Sequence, residues 1–212
     1  MGIPVLILGE SGSGKSTSLR NFNPEDVGVF NVAGKPLPFR EGRNFKIVNN
    51  ATYQKIAQAF GKPTKKVYVI DDSQYLMAFE FFDHARETGY QKFVNLGLNF
   101  QSLIRMCQKN LPEDTIVYFL QHTETTADGK TKCKTIGKML DEKLTVEGLF
   151  SIVLLCDVLD KRHVFITQSD GTTTAKSPMG MFPETIDNDL EYVDETIRDY
   201  YGYKPLRNKE EQ

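Results

Sequence analysis

The residues Gly9-Glu10-Ser11-Gly12-Ser13-Gly14-Lys15-Ser16 follow the spacing Gly-x-x-x-x-Gly-Lys-Ser. Glycines at these positions let a backbone wrap closely around an anion, with successive amide N–H groups turned inward. Lys15 adds a point charge for the β- and γ-phosphates of a nucleoside triphosphate, and Ser16 adds a hydroxyl for Mg²⁺. Thr17 stands where an α-phosphate contact is expected. A glycine-rich turn that happens to hold a lysine is the competing reading. The apolar run before the loop and the helical pattern after it favour an ATP and Mg²⁺ site.

A magnesium-supporting carboxylate is expected at the end of an apolar strand. Val67-Tyr68-Val69-Ile70-Asp71-Asp72 supplies one. Asp71 falls at the carboxyl end of that strand, the edge where open α/β sheets bind ligands. Asp71 is therefore read as the metal carboxylate. Asp72 is read either as the group that polarises an attacking water or as a charge at the start of the next helix. A third apolar run, Thr115–Leu120, ends in Gln121-His122, and either side chain is a candidate γ-phosphate sensor.

These groups need a scaffold of alternating strands and helices. Apolar runs predict strands at Ile3–Leu8, Val27–Val32, Phe45–Val48, Val67–Ile70, Thr115–Leu120, Ser151–Val158 and His163–Gln168. Several are continuous Val, Ile and Leu, as strands buried on both faces tend to be. Helices are predicted at Lys15–Phe22, Tyr53–Phe60, Gln74–Glu87, Lys92–Lys109, Gly137–Glu147 and Asp189–Tyr201, with Thr52 and Ser73 as capping residues. Lys35-Pro36-Leu37-Pro38 reads as a rigid extended loop. The aromatic stretch from Tyr75 to His84 has helical spacing that suits core packing, and His84 and His163 read as isolated histidines. The expectation is an α/β domain over residues 1–203 with a mostly parallel central sheet flanked by helices, then a charged, frayed tail over 204–212.

A net charge of −2 over 212 residues excludes a global basic field, so nucleic-acid binding would need a local patch. The densest is Lys130, Lys132 and Lys134, alternating after an Asp128-Gly129 turn signal and continued by Lys138. Alternation puts the first three amines on one face, suited to single-stranded DNA phosphates. A solvated hairpin is the plainer reading. The three cysteines match neither a zinc pattern nor a disulfide framework and read as reduced thiols. No run is long enough for a membrane span, and the Ile3–Leu8 run lacks the flanks of an export signal. The expectation is a cytoplasmic chain without a membrane partner.

The order of phosphate loop, Asp-ended strand, polar-ended strand and basic loop resembles the RecA-type core, and specifically small phage-encoded RecA-like ATPases of the AAA-family ATP-binding group. The stretches carrying the resemblance are Gly9–Thr17, Val32–Phe39, Val67–Leu76, Val117–Glu124, Lys132–Leu140 and Lys176–Phe182. The resemblance implies a three-layer P-loop NTPase fold and ATP hydrolysis coupled to single-stranded DNA binding in recombination or annealing. It also implies a homo-oligomer with ATP at the subunit interface, completed by a neighbour's cation, for which Lys176 is the matching residue. Two departures stand out. The strand after the P-loop helix ends in Asn31-Val32-Ala33-Gly34 where a catalytic glutamate is usual, and a single lysine replaces a cationic pair. A nucleotide-gated binding module with little turnover and a small nucleotide kinase stay open as alternatives, though the arginines form no clustered lid.

Overall fold

The computed structural model describes residues 1–89, 91–136 and 144–207. In chain order the strands are β1 (Ile3–Leu8), β2 (Val27–Asn31), β3 (Ile47–Asn49), β4 (Val67–Asp71), β5 (Ile116–Gln121), β6 (Thr123–Thr125), β7 (Thr131–Cys133), β8 (Ile152–Leu159), β9 (Arg162–Ile166) and β10 (Thr185–Asp187). The α-helices are α1 (Tyr53–Gly61), α2 (Gln74–Asp83), α3 (Gln91–Asn110) and α4 (Leu190–Tyr201). Short 3-10 helices cover Ser16–Asn21, Arg40–Asn44 and Val146–Leu149.

Eight strands form one sheet in the order β10-β9-β8-β1-β5-β4-β2-β3, and β6-β7 is a separate hairpin. The ladders from β8 through β1, β5, β4 and β2 to β3 are all parallel. In this sheet β9 runs antiparallel to both of its neighbours, β8 and β10. The strand ending in Gln121, β5, thus lies between β1, which leads into the Gly9–Ser16 loop, and the Asp71 strand, β4.

Alternation along β1 explains the layering. Leu6 and Leu8 face a cluster with Ile56 of α1, Met77 of α2 and Phe100 and Leu103 of α3. Val5 and Ile7 face the opposite cluster, with Leu19 and with Leu190, Val193 and Ile197 of α4. All four β1 side chains are sealed from solvent on one face or the other. Burial of a Leu, Val or Ile side chain contributes roughly 1.5–3 kcal/mol, so a central strand of this kind is legible as an uninterrupted apolar run. The result is a mostly parallel sheet with helices on both faces.

The ends of the helices differ in how they are fixed. Thr52 caps α1 by accepting from the Lys55 N–H at 3.3 Å. Asp189 caps α4 by accepting from Glu191 and Tyr192, and Gly202 closes it with φ +70°. Ser73 does not cap α2: its hydroxyl donates to the Leu120 carbonyl and to Gln121 Oε1, both at 3.1 Å, tying α2 to β5.

The predicted helix after the phosphate loop is only the 3-10 segment Ser16–Asn21. Ser18 Oγ bonds back to the Lys15 carbonyl, a side-chain competition that weakens helix propagation. Asn23-Pro24 then biases the chain away from helical geometry. The aromatic stretch is also less buried than its spacing implies. Leu76 and Met77 pack in the core, but Phe79 is 46% and Phe82 70% exposed. The predicted helix Gly137–Glu147 falls largely outside the described residues, as does Lys138.

Residues 204–207 are tied down more than a frayed tail would be. Leu206 packs against the α4-side cluster, and Arg207 Nε meets Asp26 Oδ2 at 2.6 Å. Cys107, Cys133 and Cys156 are buried thiols without a disulfide. Among the described residues no helix is long and apolar enough to cross a membrane.

Candidate functional site

The parallel ladder brings the chemistry-bearing strand ends to one edge. Leu8 is level with Gln121 and Leu155, and Asn31 with Asp71. Just beyond this edge lies a cavity of about 260 Å³. Its walls are the Gly9–Ser16 loop with Lys15, Ser16 and Thr17, the strand-end pair Asp71 and Asp72, the loop residues Lys35, Pro36 and Pro38, and the two histidines His122 and His163.

The loop is closely packed from behind. A side chain at Gly9 would meet Ser13 Oγ at 2.4 Å and the Cys156 carbonyl at 2.7 Å, so only glycine fits. Gly14 has φ +105°, and a Cβ there would stand 3.0 Å from His163 Nδ1. Both positions therefore demand glycine for reasons of space or backbone conformation. The Ser13 carbonyl accepts from the Cys156 thiol at 2.9 Å and contacts His163 Nδ1 at 2.7 Å. Glu10 and Ser13 line a second cleft behind the loop, together with Thr123, Thr131 and Cys156.

Lys15 is buried, and its ammonium donates to the carbonyls of Gly9 and Glu10, both at 2.7 Å. Burial lowers its pKa below the ordinary lysine value, and the nearby carboxylates of Asp72 and Asp71 oppose that shift. Ser16 Oγ donates to Asp71 Oδ1 at 2.8 Å. Burial pushes Asp71 from 3.8 to about 6, against the Ser16 hydrogen bond and the Lys15 charge. A hydroxyl and a carboxylate at this distance fit Mg²⁺, which keeps several waters and takes few protein ligands beside its phosphates. Among the described residues no three His, Cys, Asp or Glu side chains cluster as a metal site, so any protein-only cage is absent there.

Asp72 takes a left-handed conformation, φ +58°, that presents its carboxylate to the cavity between Lys35 and His122. Lys35 Nζ meets Oδ2 at 2.7 Å, and His122 Nε2 lies 3.5 Å from Oδ1. Burial would raise Asp72, but the hydrogen bonds and charges of His122 and Lys35 together hold it below the usual carboxylate range. The Asp72 hydrogen bond raises Lys35. His122 packs edge-on against Tyr75, with centroids 6.4 Å apart.

Lys15, Ser16, Thr17, Ser11, Gly12, Gly14, Asp71, Asp72 and His122 thus converge on one cavity, as their sequence positions imply. Gln121 does not reach it. Its Oε1 accepts from Ser73, and its Nε2 donates to the Lys134 carbonyl at 2.7 Å, so it fastens the β6-β7 hairpin to the sheet. Lys176 does not line the cavity of its own chain; the role the resemblance implies for it lies in a neighbouring copy's cavity. Its backbone exchanges two 2.8 Å hydrogen bonds with Val153, beside the middle of the sheet rather than its ligand edge.

The basic stretch forms the antiparallel hairpin β6-β7, with Glu124 opposite Lys132. Lys130 and Lys134 are exposed, while Lys132 pairs with Glu124 at 3.0 Å. The face is therefore less positive than three alternating lysines suggest.

Besides Pro36 and Pro38, two polar side chains of the cavity, Lys35 and His163, were given no site role by the sequence. Lys35 follows β2, and the carboxyl end of any parallel strand in such a sheet delivers its next loop to the ligand edge. His163 follows the tight turn of Asp160 and Lys161, whose φ values of +50° and +64° match a two-residue hairpin loop. A strand returning from that turn starts at the same edge. No protein-family model matches the chain, and no curated protein matches it.

Proposed function

We propose that this protein is a Mg²⁺-dependent ATPase of the P-loop NTPase class that binds single-stranded DNA as a homo-oligomer, and that it serves phage DNA recombination or replication. The observation that carries the ATPase reading is the convergence of Lys15, Ser16 and Asp71 on one cavity at the carboxyl edge of the sheet, with Ser16 and Asp71 hydrogen-bonded at 2.8 Å. The strand order adds support, because one strand separates the two motif strands.

In this reading Lys15 exchanges its two carbonyl partners for the β- and γ-phosphates. Ser16 and Asp71 would hold Mg²⁺, which when bound would neutralise charge on the phosphate oxygens. Asp72 orients the attacking water, with His122 beside it. The hairpin lysines and the oligomer rest on the sequence resemblance, helped by the physical link from Gln121 to the Lys134 carbonyl.

A nucleotide-gated module with little turnover is the second reading. It is favoured by Asn31 at the end of β2, where a catalytic glutamate is usual, and by the ion pair that occupies Asp72. ATP turnover measured with and without single-stranded DNA, with Lys15→Ala as blank, separates the two. Turnover that rises with DNA supports the coupled ATPase. ATP binding without turnover supports the switch, and phosphate transfer to a nucleoside acceptor would replace both with a kinase.

A further inference from the structure

We propose that Lys35 is the cation that meets the terminal phosphate, supplied by the same chain from the loop after β2 and parked on Asp72 in the nucleotide-free protein. The assignment rests on the ATPase reading and adds to it a residue that no motif identifies.

Phosphoryl transfer places charge on the terminal phosphate oxygens, and a cation aimed at them is worth several orders of magnitude in rate. Lys15 and Lys35 are the lysines lining the cavity, and no arginine lines it among the described residues. Lys176, which the resemblance offers to a neighbouring copy, lies away from its own chain's cavity on the bridge to Val153, so within one chain it does not compete with Lys35.

The attachment of Lys35 suits such a role. Its backbone is fixed while its side chain is not. Asn31 Oδ1 accepts from the Gly34 N–H at 2.8 Å, and Asn31 Nδ2 donates to the Lys35 carbonyl. Pro36 restricts the chain immediately after. The side chain itself is 61% exposed and reaches Asp72 at 2.7 Å, with Nζ 5.4 Å from the Tyr75 ring centroid. Only the lysine end of the pair is exposed, the Asp72 side chain being 12% exposed, so the ammonium is free to swing toward a phosphate dianion while Asp72 stays in place with His122 Nε2 3.5 Å from Oδ1. That transfer leaves Asp72 facing the cavity without its lysine. Asn31 then acts as a positioning residue for the loop.

A purely structural bridge closing the 33–38 loop is the rival account. It predicts that nucleotides with and without a γ-phosphate suffer equally when Lys35 is changed. The test is Lys35→Gln, which retains a hydrogen bond to Asp72 but removes the charge, measured beside Lys35→Arg and Lys15→Ala. Affinities for ATP and ADP with Mg²⁺ and steady-state turnover are read for each, with thermal unfolding as a control on folding.

Lys35→Gln is expected to lower kcat at least tenfold and to reduce the preference for ATP over ADP by a similar factor, with ADP affinity changed less than threefold. Lys35→Arg should recover part of both losses. An unchanged ATP to ADP ratio and unchanged kcat in a folded Lys35→Gln protein would overturn the proposal. Asn31→Ala gives a second reading with Lys35 intact: a displaced loop should cost kcat and leave ADP affinity in place, and full activity would argue against the positioning role. If wild-type protein binds ATP no better than Lys15→Ala, the ATPase reading itself has failed and the Lys35 assignment falls with it.

Discussion

Ser16 Oγ and Asp71 Oδ1, 55 residues apart in sequence, lie 2.8 Å apart, one at the start of the 3-10 segment that follows the β1 loop and the other at the end of β4, with β5 between the two strands. The pair leaves Asp71 almost fully buried with one hydroxyl as its hydrogen-bond partner.

That burial has a measurable consequence. Asp71 is raised from 3.8 to about 6 in the folded chain, so folding favours its protonated form. The associated stability is present below about pH 3.8 and is lost as pH rises through about 6. The gap corresponds to at most about 3 kcal/mol. Asp71→Asn should therefore stabilise the nucleotide-free protein at pH 8 and change little at pH 4. It should also remove the dependence of ATP affinity on Mg²⁺, which in the parent weakens as protons compete below about pH 6. Urea unfolding of both proteins at the two pH values checks the sign, and a less stable Asn variant at pH 8 would contradict it.

Lys15 sits where replacing its charge should separate binding from folding. Its ammonium is already satisfied by the Gly9 and Glu10 carbonyls, so Lys15→Met keeps the packing but leaves those acceptors without their donor. Affinity for ATP is expected to fall about 100-fold, close to 3 kcal/mol, with circular dichroism unchanged. A fluorescent-nucleotide titration reads this directly. Retained tight binding would mean the loop does not cradle a triphosphate.

The opposite edge of the sheet carries a stability determinant unrelated to the cavity. Buried Arg198 meets Asp194 at 2.5 Å and donates to the carbonyls of Asp114 at 2.9 Å and Lys66 at 3.3 Å, just before β5 and β4. Removing one charge strands the other, at a cost of roughly 3–5 kcal/mol. Asp194→Leu or Arg198→Met alone should therefore destabilise strongly, while the double substitution should recover much of the loss. Denaturant unfolding in a double-mutant cycle gives the coupling, and additive single effects would show that the two side chains do not act as a pair.

The sequence disclosed the central sheet because β1, β4, β5 and β8 are buried on both faces and their apolar runs are uninterrupted. It also placed Asp71 correctly at a strand end, since the run stops at a carboxylate. It was silent where function depends on what loops bring together. Lys35 and His163 had no site role in the sequence, though Lys35 falls in the Val32–Phe39 stretch, and they enter the cavity because β2 and the β8-β9 turn end at that edge of the sheet. It misled for Gln121, whose position in sequence is right for a sensor but whose amide is consumed by Ser73 and the Lys134 carbonyl. The edge strand β10 was missed because three residues, Thr185, Ile186 and Asp187, leave too little pattern to read.

The hairpin offers the sharpest test of the DNA reading. Lys130 and Lys134 are exposed, whereas Lys132 already has Glu124 at 3.0 Å. Single-stranded DNA affinity should therefore fall further in Lys130→Ala/Lys134→Ala than in Lys132→Ala. Each phosphate contact contributes about −0.7 to the slope of log affinity against log salt, so the double variant should flatten that slope by roughly 1.4. Gln121 links this hairpin to β5 through the Lys134 carbonyl. Gln121→Ala should consequently leave basal turnover and DNA affinity near parent values while reducing the stimulation of turnover by DNA. Fluorescence anisotropy across a salt series and turnover with and without DNA measure the two effects. DNA affinity that is unchanged and insensitive to salt in the double variant would remove the hairpin from the interface, and full stimulation in Gln121→Ala would show that coupling takes another route.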